Sequence, residues 1–143
     1  MQPHDHILLI EDDDVDTMTV RRALKDLGAT HPLDCVTNGE EGLIFLRDPA
    51  NFRPGLILLD LNMPRMNGLE FLAEMKADPA LKYIPVVVLT TSKEETDRMV
   101  SFRHSVAGYM VKPVDYRQFV EIMRVIRDYW MTSEQAVPGA AKS

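Results

Sequence analysis
Along this chain, short apolar runs alternate with longer stretches in which apolar residues recur every three or four positions. The runs are His6-Ile7-Leu8-Leu9-Ile10, Leu33 to Val36, Leu56 to Leu61, Ile84 to Leu89 and Ala107 to Val111. Runs of four to six apolar residues bounded by Pro, Gly or acids read as strands buried on both faces, as in a parallel sheet. Between them the spacing predicts five helices. The first follows an N-cap at Asp13 or Asp14, carries Val15, Met18, Ala23 and Leu27, and stops at Gly28. The second opens at Asn38-Gly39 with Leu43, Ile44 and Leu46. The third opens at Asn67-Gly68 with Leu69, Leu72 and Met75, and ends near Asp78-Pro79. A polar fourth helix spans 93–104, with Met99, Val100 and Phe102. The fifth runs from Asp115 to Trp130 with Phe119, Ile122, Met123 and Ile126 on one face.

Five strands alternating with five helices predict an α/β fold, a three-layer doubly wound parallel sheet. One domain over 5–131 accounts for the pattern. Residues 132–143, rich in Ala, Gly and Pro, read as a flexible tail. The tail leaves no room before Ser143 for a DNA-binding or catalytic domain. Output is therefore expected through a surface.

Composition narrows the function. A net charge of -6 argues against a nucleic-acid partner, which calls for a basic stripe. The single cysteine, Cys35, excludes an internal disulfide and suits the cytoplasm. No apolar run reaches membrane-spanning length, so no membrane partner is expected. Met18, Met75 and Met123 fall at core spacings and read as packing residues.

The chemistry lies where the strands end. Four of them run into reactive groups: Glu11-Asp12, Asp60, Thr90 and Lys112. In an open parallel sheet the carboxyl ends of the strands share one edge, where ligands bind. Carboxylates gathered there repel one another, and a hard divalent cation relieves this; Mg²⁺ takes a few carboxylates, a carbonyl and retained waters. Such an ion, one lysine and one hydroxyl are the parts that hold the equatorial oxygens of a transferring phosphoryl group. Asp60 is then the nucleophile, forming an acyl phosphate.

Four motifs together carry a resemblance: Ile-Glu-Asp-Asp at 10–13, Leu-Leu-Asp-Leu-Asn-Met-Pro-Arg-Met-Asn-Gly at 58–68, Val-Leu-Thr-Thr at 88–91 and Val-Lys-Pro at 111–113. Over about residues 5 to 130 the chain resembles the receiver domain of two-component response regulators. The resemblance implies a flavodoxin-like receiver fold with strand order 2-1-3-4-5. It implies that Asp60 is the phosphoacceptor and that Glu11, Asp12, Asp60 and the Asn62 carbonyl bind Mg²⁺. Thr90 and Lys112 would bind phosphoryl oxygens, Thr90 and Tyr109 would form the switch, and Lys112-Pro113 would be a cis peptide. Asn67 stands where many relatives carry Asp.

Glu11-Asp12-Asp13-Asp14-Val15-Asp16, the Asp78-Pro79-Ala80-Leu81 loop, Leu89-Thr90-Thr91-Ser92 and Tyr129-Trp130 are similar to the single-domain regulators associated with phytochromes. That likeness implies a sensor histidine kinase, a bacteriophytochrome among the choices, as partner. The receiver family's output surface is the fourth helix, fifth strand and fifth helix, where Met99, Phe102, Tyr109, Val125, Tyr129 and Trp130 fall beside Arg117 and Arg124. Such a face is expected to be buried in a homodimer, the alternative being that Trp130 merely covers the bottom of the sheet. Asp13, Asp14 and Asp16 could widen the acidic pocket, with capping and surface roles favoured for Asp14 and Asp16. Two other classes remain open. One is an aspartyl-phosphate phosphatase, disfavoured because the general-acid position is Asn62; the other is a scaffold that is not phosphorylated, disfavoured by the intact site. The expectation is a phosphoacceptor that catalyses its own phosphorylation and dephosphorylation, not an enzyme with a separate substrate.

Overall fold
The computed structural model describes residues 6–131. In chain order the elements are β1 (Ile7–Ile10), α1 (Asp14–Asp26), β2 (Leu33–Val36), α2 (Gly39–Arg47), β3 (Leu56–Leu59), α3 (Gly68–Ala77), β4 (Val86–Thr90), α4 (Glu95–Arg103), β5 (Gly108–Val111) and α5 (Tyr116–Ile126). All four strand pairings are parallel, and the sheet order is β2-β1-β3-β4-β5. This is the order expected from the sequence. The expected tail at 132–143, and Asp5 at the other end of the expected domain, lie outside the described residues.

Alternating strand residues feed two cores, because successive side chains point to opposite faces of a sheet. Leu8, Ile10, Ile57, Leu59, Val86 and Val88 pack with Leu43 of α2 and Phe71, Leu72 and Met75 of α3. Ile7, Leu9, Leu56, Leu58, Val87 and Leu89 pack with Val20, Ala23 and Leu24 of α1 and Phe119, Met123 and Ile126 of α5. The central strands β1, β3 and β4 are buried throughout, while the edge strands β2 and β5 are only half-buried. No helix of the described residues is long and apolar enough to cross a membrane.

Local signals set the helix starts. Asp13, Asn38 and Asp115 each accept the N–H three residues on, and Asn67 forms a reciprocal capping box with Glu70. Asn caps as well as Asp does, so Asn67 costs the turn nothing. Gly28 follows α1 at φ +69, the left-handed conformation that ends many helices.

Two packing expectations are corrected. Val15 and Met18 are 70% and 67% exposed, and α1 packs through Val20, Ala23 and Leu24 instead. At 3.6 residues per turn Val15 and Met18 fall on the side of α1 opposite Val20 and Leu24, turned away from the sheet, while Asp16 in the same stretch shares the inward side. The last helix is α-helical only to Ile126 and continues as a wider π-type turn over Arg127–Met131. Trp130 there turns back onto the α1–α5 core, its ring beside Gly108 at the start of β5.

Candidate functional site
The register sets the site. Ile10 of β1 lies opposite Leu59 of β3, so Glu11 and Asp60 leave the sheet side by side. Main-chain bonds hold them there: Glu11 N–H donates to the Val36 carbonyl at 3.0 Å, and Asp60 N–H to the Ile10 carbonyl at 3.0 Å. Glu11 and Asp60 are buried, while Asp12 is exposed at the mouth. One oxygen from each of Glu11, Asp12 and Asp60 lies within 4.8 Å of the others. The Leu61 N–H donates to Asp60 Oδ1 at 2.9 Å and orients the carboxylate.

The turn after Asp60 folds tightly back on the strand end, with Gly68 N–H donating to the Leu61 carbonyl at 3.1 Å. A Cβ on Gly68 would lie 2.5 Å from the Asp60 carbonyl oxygen, so only glycine fits. Asn62 lies on this turn and is exposed.

From the other side, Thr90 pairs with Val111, and Lys112 N–H donates to the Thr90 carbonyl at 2.7 Å. The Lys112 ammonium reaches across the edge and donates to Glu11 Oε1 at 2.6 Å and Asp16 Oδ2 at 2.9 Å. Thr90 is fully buried, and its Oγ1 accepts the Ser92 N–H at 3.3 Å. Ser92 in turn donates its hydroxyl to Asp97 on α4 at 2.7 Å and accepts the Tyr109 hydroxyl at its carbonyl, 3.0 Å away. Thr90 and Tyr109 therefore meet at Ser92.

Burial pushes the Glu11 carboxyl up to about 7, the hydrogen bond and charge of Lys112 offsetting only part of the effect. Burial works to lower the Lys112 ammonium, but its bonds to Glu11 and Asp16 and the nearby Asp60 charge outweigh that and raise it. Three clustered carboxylates thus face one ammonium, and burial, more than the nearby Asp60 charge, holds the Glu11 carboxyl up. An all-oxygen set with surplus negative charge suits a hard divalent cation.

The response regulator receiver domain family matches residues 7–124, spanning both metal-side acids, Asp60, Thr90 and Lys112. The chain belongs to the response regulator receivers. It is 39% identical over 129 residues to response regulator Rcp1 of Synechocystis sp., covering 87% of this chain and 88% of that one. The Mn²⁺-bound form of Rcp1 superposes with a TM-score of 0.84 at 38% identity, over 92% of this chain and 98% of the other. The phosphorylated cyanobacterial phytochrome response regulator RcpA gives 0.82 at 40% identity, over 94% and 99%. The bacteriophytochrome response regulator AtBRR gives 0.70 at 33% identity, over 87% and 93%.

Within this receiver, Glu11, Asp12, Asp60 and Lys112 come together at the strand ends, and Thr90 closes the neighbouring strand β4 with its hydroxyl on Ser92. The cis peptide does not appear: no peptide bond among the described residues is cis, and Lys112-Pro113 is trans. Trans is favoured by about 0.5–1 kcal/mol at an X–Pro bond. Here the trans chain already delivers the Lys112 amine to Glu11 and Asp16 and leads through exposed Val114 to the Asp115 cap. Asp16, expected as a surface acid, is bonded to Lys112. No spacing signalled this contact, since Asp12 precedes the helix that carries Asp16 and Lys112 lies 96 residues away.

Proposed function
We propose that this receiver takes a phosphoryl group onto Asp60 from a phosphohistidine of a sensor histidine kinase, with Mg²⁺ bound by Glu11, Asp12, Asp60 and the Asn62 carbonyl. One observation carries the reading: a buried strand-end aspartate has two further carboxylates within 4.8 Å and a lysine held at the same edge. The Mn²⁺-bound and phosphorylated states of relatives at 38% and 40% identity support it.

A bound divalent cation would neutralise charge on the phosphoryl oxygens and let the anionic donor approach. An Asp60 carboxylate oxygen attacks phosphorus. The phosphorus–nitrogen bond breaks, and its electron pair stays on the histidine nitrogen. The Leu61 N–H keeps the carboxylate oriented, and the Lys112 ammonium and Thr90 hydroxyl donate to phosphoryl oxygens. Thr90 must then turn its hydroxyl toward the new group and away from Ser92, which ties the event to Asp97 and Tyr109. Later attack of water on phosphorus returns the Asp60 carboxylate and releases inorganic phosphate. The chain thus acts on its own side chain and has no separate substrate.

Output would pass through protein contacts on α4, β5 and α5. Met99 and Phe102 of α4, Val125 of α5 and Tyr129 of the following π-type turn are exposed by 49%, 47%, 53% and 64%, an apolar face that a second copy of the chain would cover. Trp130 packs inward and lends that face its edge only. The phytochrome response regulators among the relatives support a bacteriophytochrome as the kinase.

Incubation with acetyl phosphate or phosphoramidate and Mg²⁺, followed by intact-mass measurement and peptide mapping, tests the site. Wild type should gain one phosphoryl group on Asp60, and Asp60→Asn should gain none while folding normally. Stoichiometric labelling of Asp60→Asn at another residue would overturn the assignment.

A further inference from the structure
Lys112 is 9% exposed at its side chain, and two of the three N–H donors of its ammonium are bound by carboxylates. The two acceptors are not equivalent. Glu11 belongs to the cluster that suits a cation, and Asp16 does not. A divalent ion entering the cluster draws on the Glu11 carboxylate and repels the ammonium beside it. Asp16 stands outside that competition. It sits in the first turn of α1, with its backbone N–H fixed by the Asp13 cap. From there its carboxylate reaches a lysine 96 residues away in sequence.

Resting on the phosphoacceptor reading, we propose that Asp16 is the positioning residue of Lys112. It holds the ammonium at the site while the cation occupies the carboxylates, and it leaves the third N–H for an oxygen of the incoming phosphoryl group. Asp16 touches neither the ion nor the phosphoryl group and acts only through Lys112. A surface acid of α1 would do none of this, because a partly exposed ion pair by itself contributes little.

The test compares wild type, Asp16→Ala and Asp16→Glu in the full chain. Beryllofluoride, a mimic of the phosphoryl group, is titrated at saturating Mg²⁺ and followed by fluorine NMR. Mg²⁺ is titrated separately, thermal unfolding is recorded, and the ammonium ¹⁵N signal of Lys112 is observed without metal. Asp16→Ala should bind beryllofluoride about tenfold more weakly, the effect of one lost charge-assisted hydrogen bond. Mg²⁺ affinity should change by less than about threefold, since the ion's own ligands remain. Asp16→Glu, which restores the carboxylate, should recover most of the loss. The Lys112 signal should be exchange-broadened in Asp16→Ala and visible in the other two.

Beryllofluoride binding in Asp16→Ala that equals or exceeds wild type would overturn the proposal. So would a loss that follows melting temperature across the variants. A wild type that binds no beryllofluoride would refute the phosphoacceptor reading instead. The metal-free Lys112 signal would then still decide whether Asp16 holds the amine, an unchanged signal in Asp16→Ala counting against it.

Discussion

Loading the carboxylate cluster with Mg²⁺ should expel a proton. Glu11 is held at about 7 against an ordinary 4.5, because burial strips its carboxylate of water and the Lys112 hydrogen bond and charge recover only part of that loss. A cation that binds Glu11 requires the ionised form. At pH 7 about half a proton should leave per ion bound, at pH 6 close to one, and at pH 8.5 almost none. Apparent Mg²⁺ affinity should weaken roughly tenfold at pH 6 and roughly a hundredfold at pH 5, relative to pH 8.5.

The same shift acts on the metal-free fold. Between pH 4.5 and 7 the folded state binds more protons than the unfolded chain, so this contribution to stability is present below the unfolded value and is lost as pH rises. The loss across the window is on the order of a few kcal/mol. Mg²⁺ should restore it. Calorimetric Mg²⁺ titrations at pH 6 and 8.5, in buffers of differing ionisation enthalpy, read the protons directly. Glu11→Gln should remove the buffer dependence. Equal binding heats in both buffers at pH 6 for wild type, with the ion bound, would refute the reasoning.

Gly68→Ala should destabilise the protein by about 2–3 kcal/mol, as overpacking against atoms that cannot yield does. Its Cβ would meet the Asp60 carbonyl oxygen at 2.5 Å and Leu61 Cα at 2.7 Å, both main chain. A lower urea midpoint at unchanged slope checks this, and a gain of about 1 kcal/mol, the helix preference of Ala over Gly, would contradict it. The α4–β5–α5 face should pair two copies when the site is filled. Sedimentation with Mg²⁺ and beryllofluoride should show a wild-type dimer and a Phe102→Glu monomer, and a wild-type monomer at every concentration in both states would leave a partner protein as the reader.

The amino-acid sequence by itself determined the strands, the helix starts and the four strand ends that carry the chemistry. Each depends on residues a few positions apart. An apolar run such as Leu56–Leu59 has one use in a domain of this size, and Asn67 with Glu70 satisfies the first turn of its own helix. Once the sheet is parallel, the strand ends share an edge, so Glu11, Asp60, Thr90 and Lys112 converge without any knowledge of their contacts. The tertiary structure decided what depends on distant neighbours. Apolar residues three to five apart allow more than one stripe on α1, and only the fold shows that the sheet takes Val20, Ala23 and Leu24 and leaves Val15 and Met18 on the opposite side. The meeting of Tyr109 with Ser92 and the trans bond before Pro113 depend on how strand ends settle against one another. The hold of Asp16 on Lys112 is of the same kind. Two oppositely charged side chains 96 residues apart carry no mutual signal in the chain, and only the closed sheet brings them to 2.9 Å.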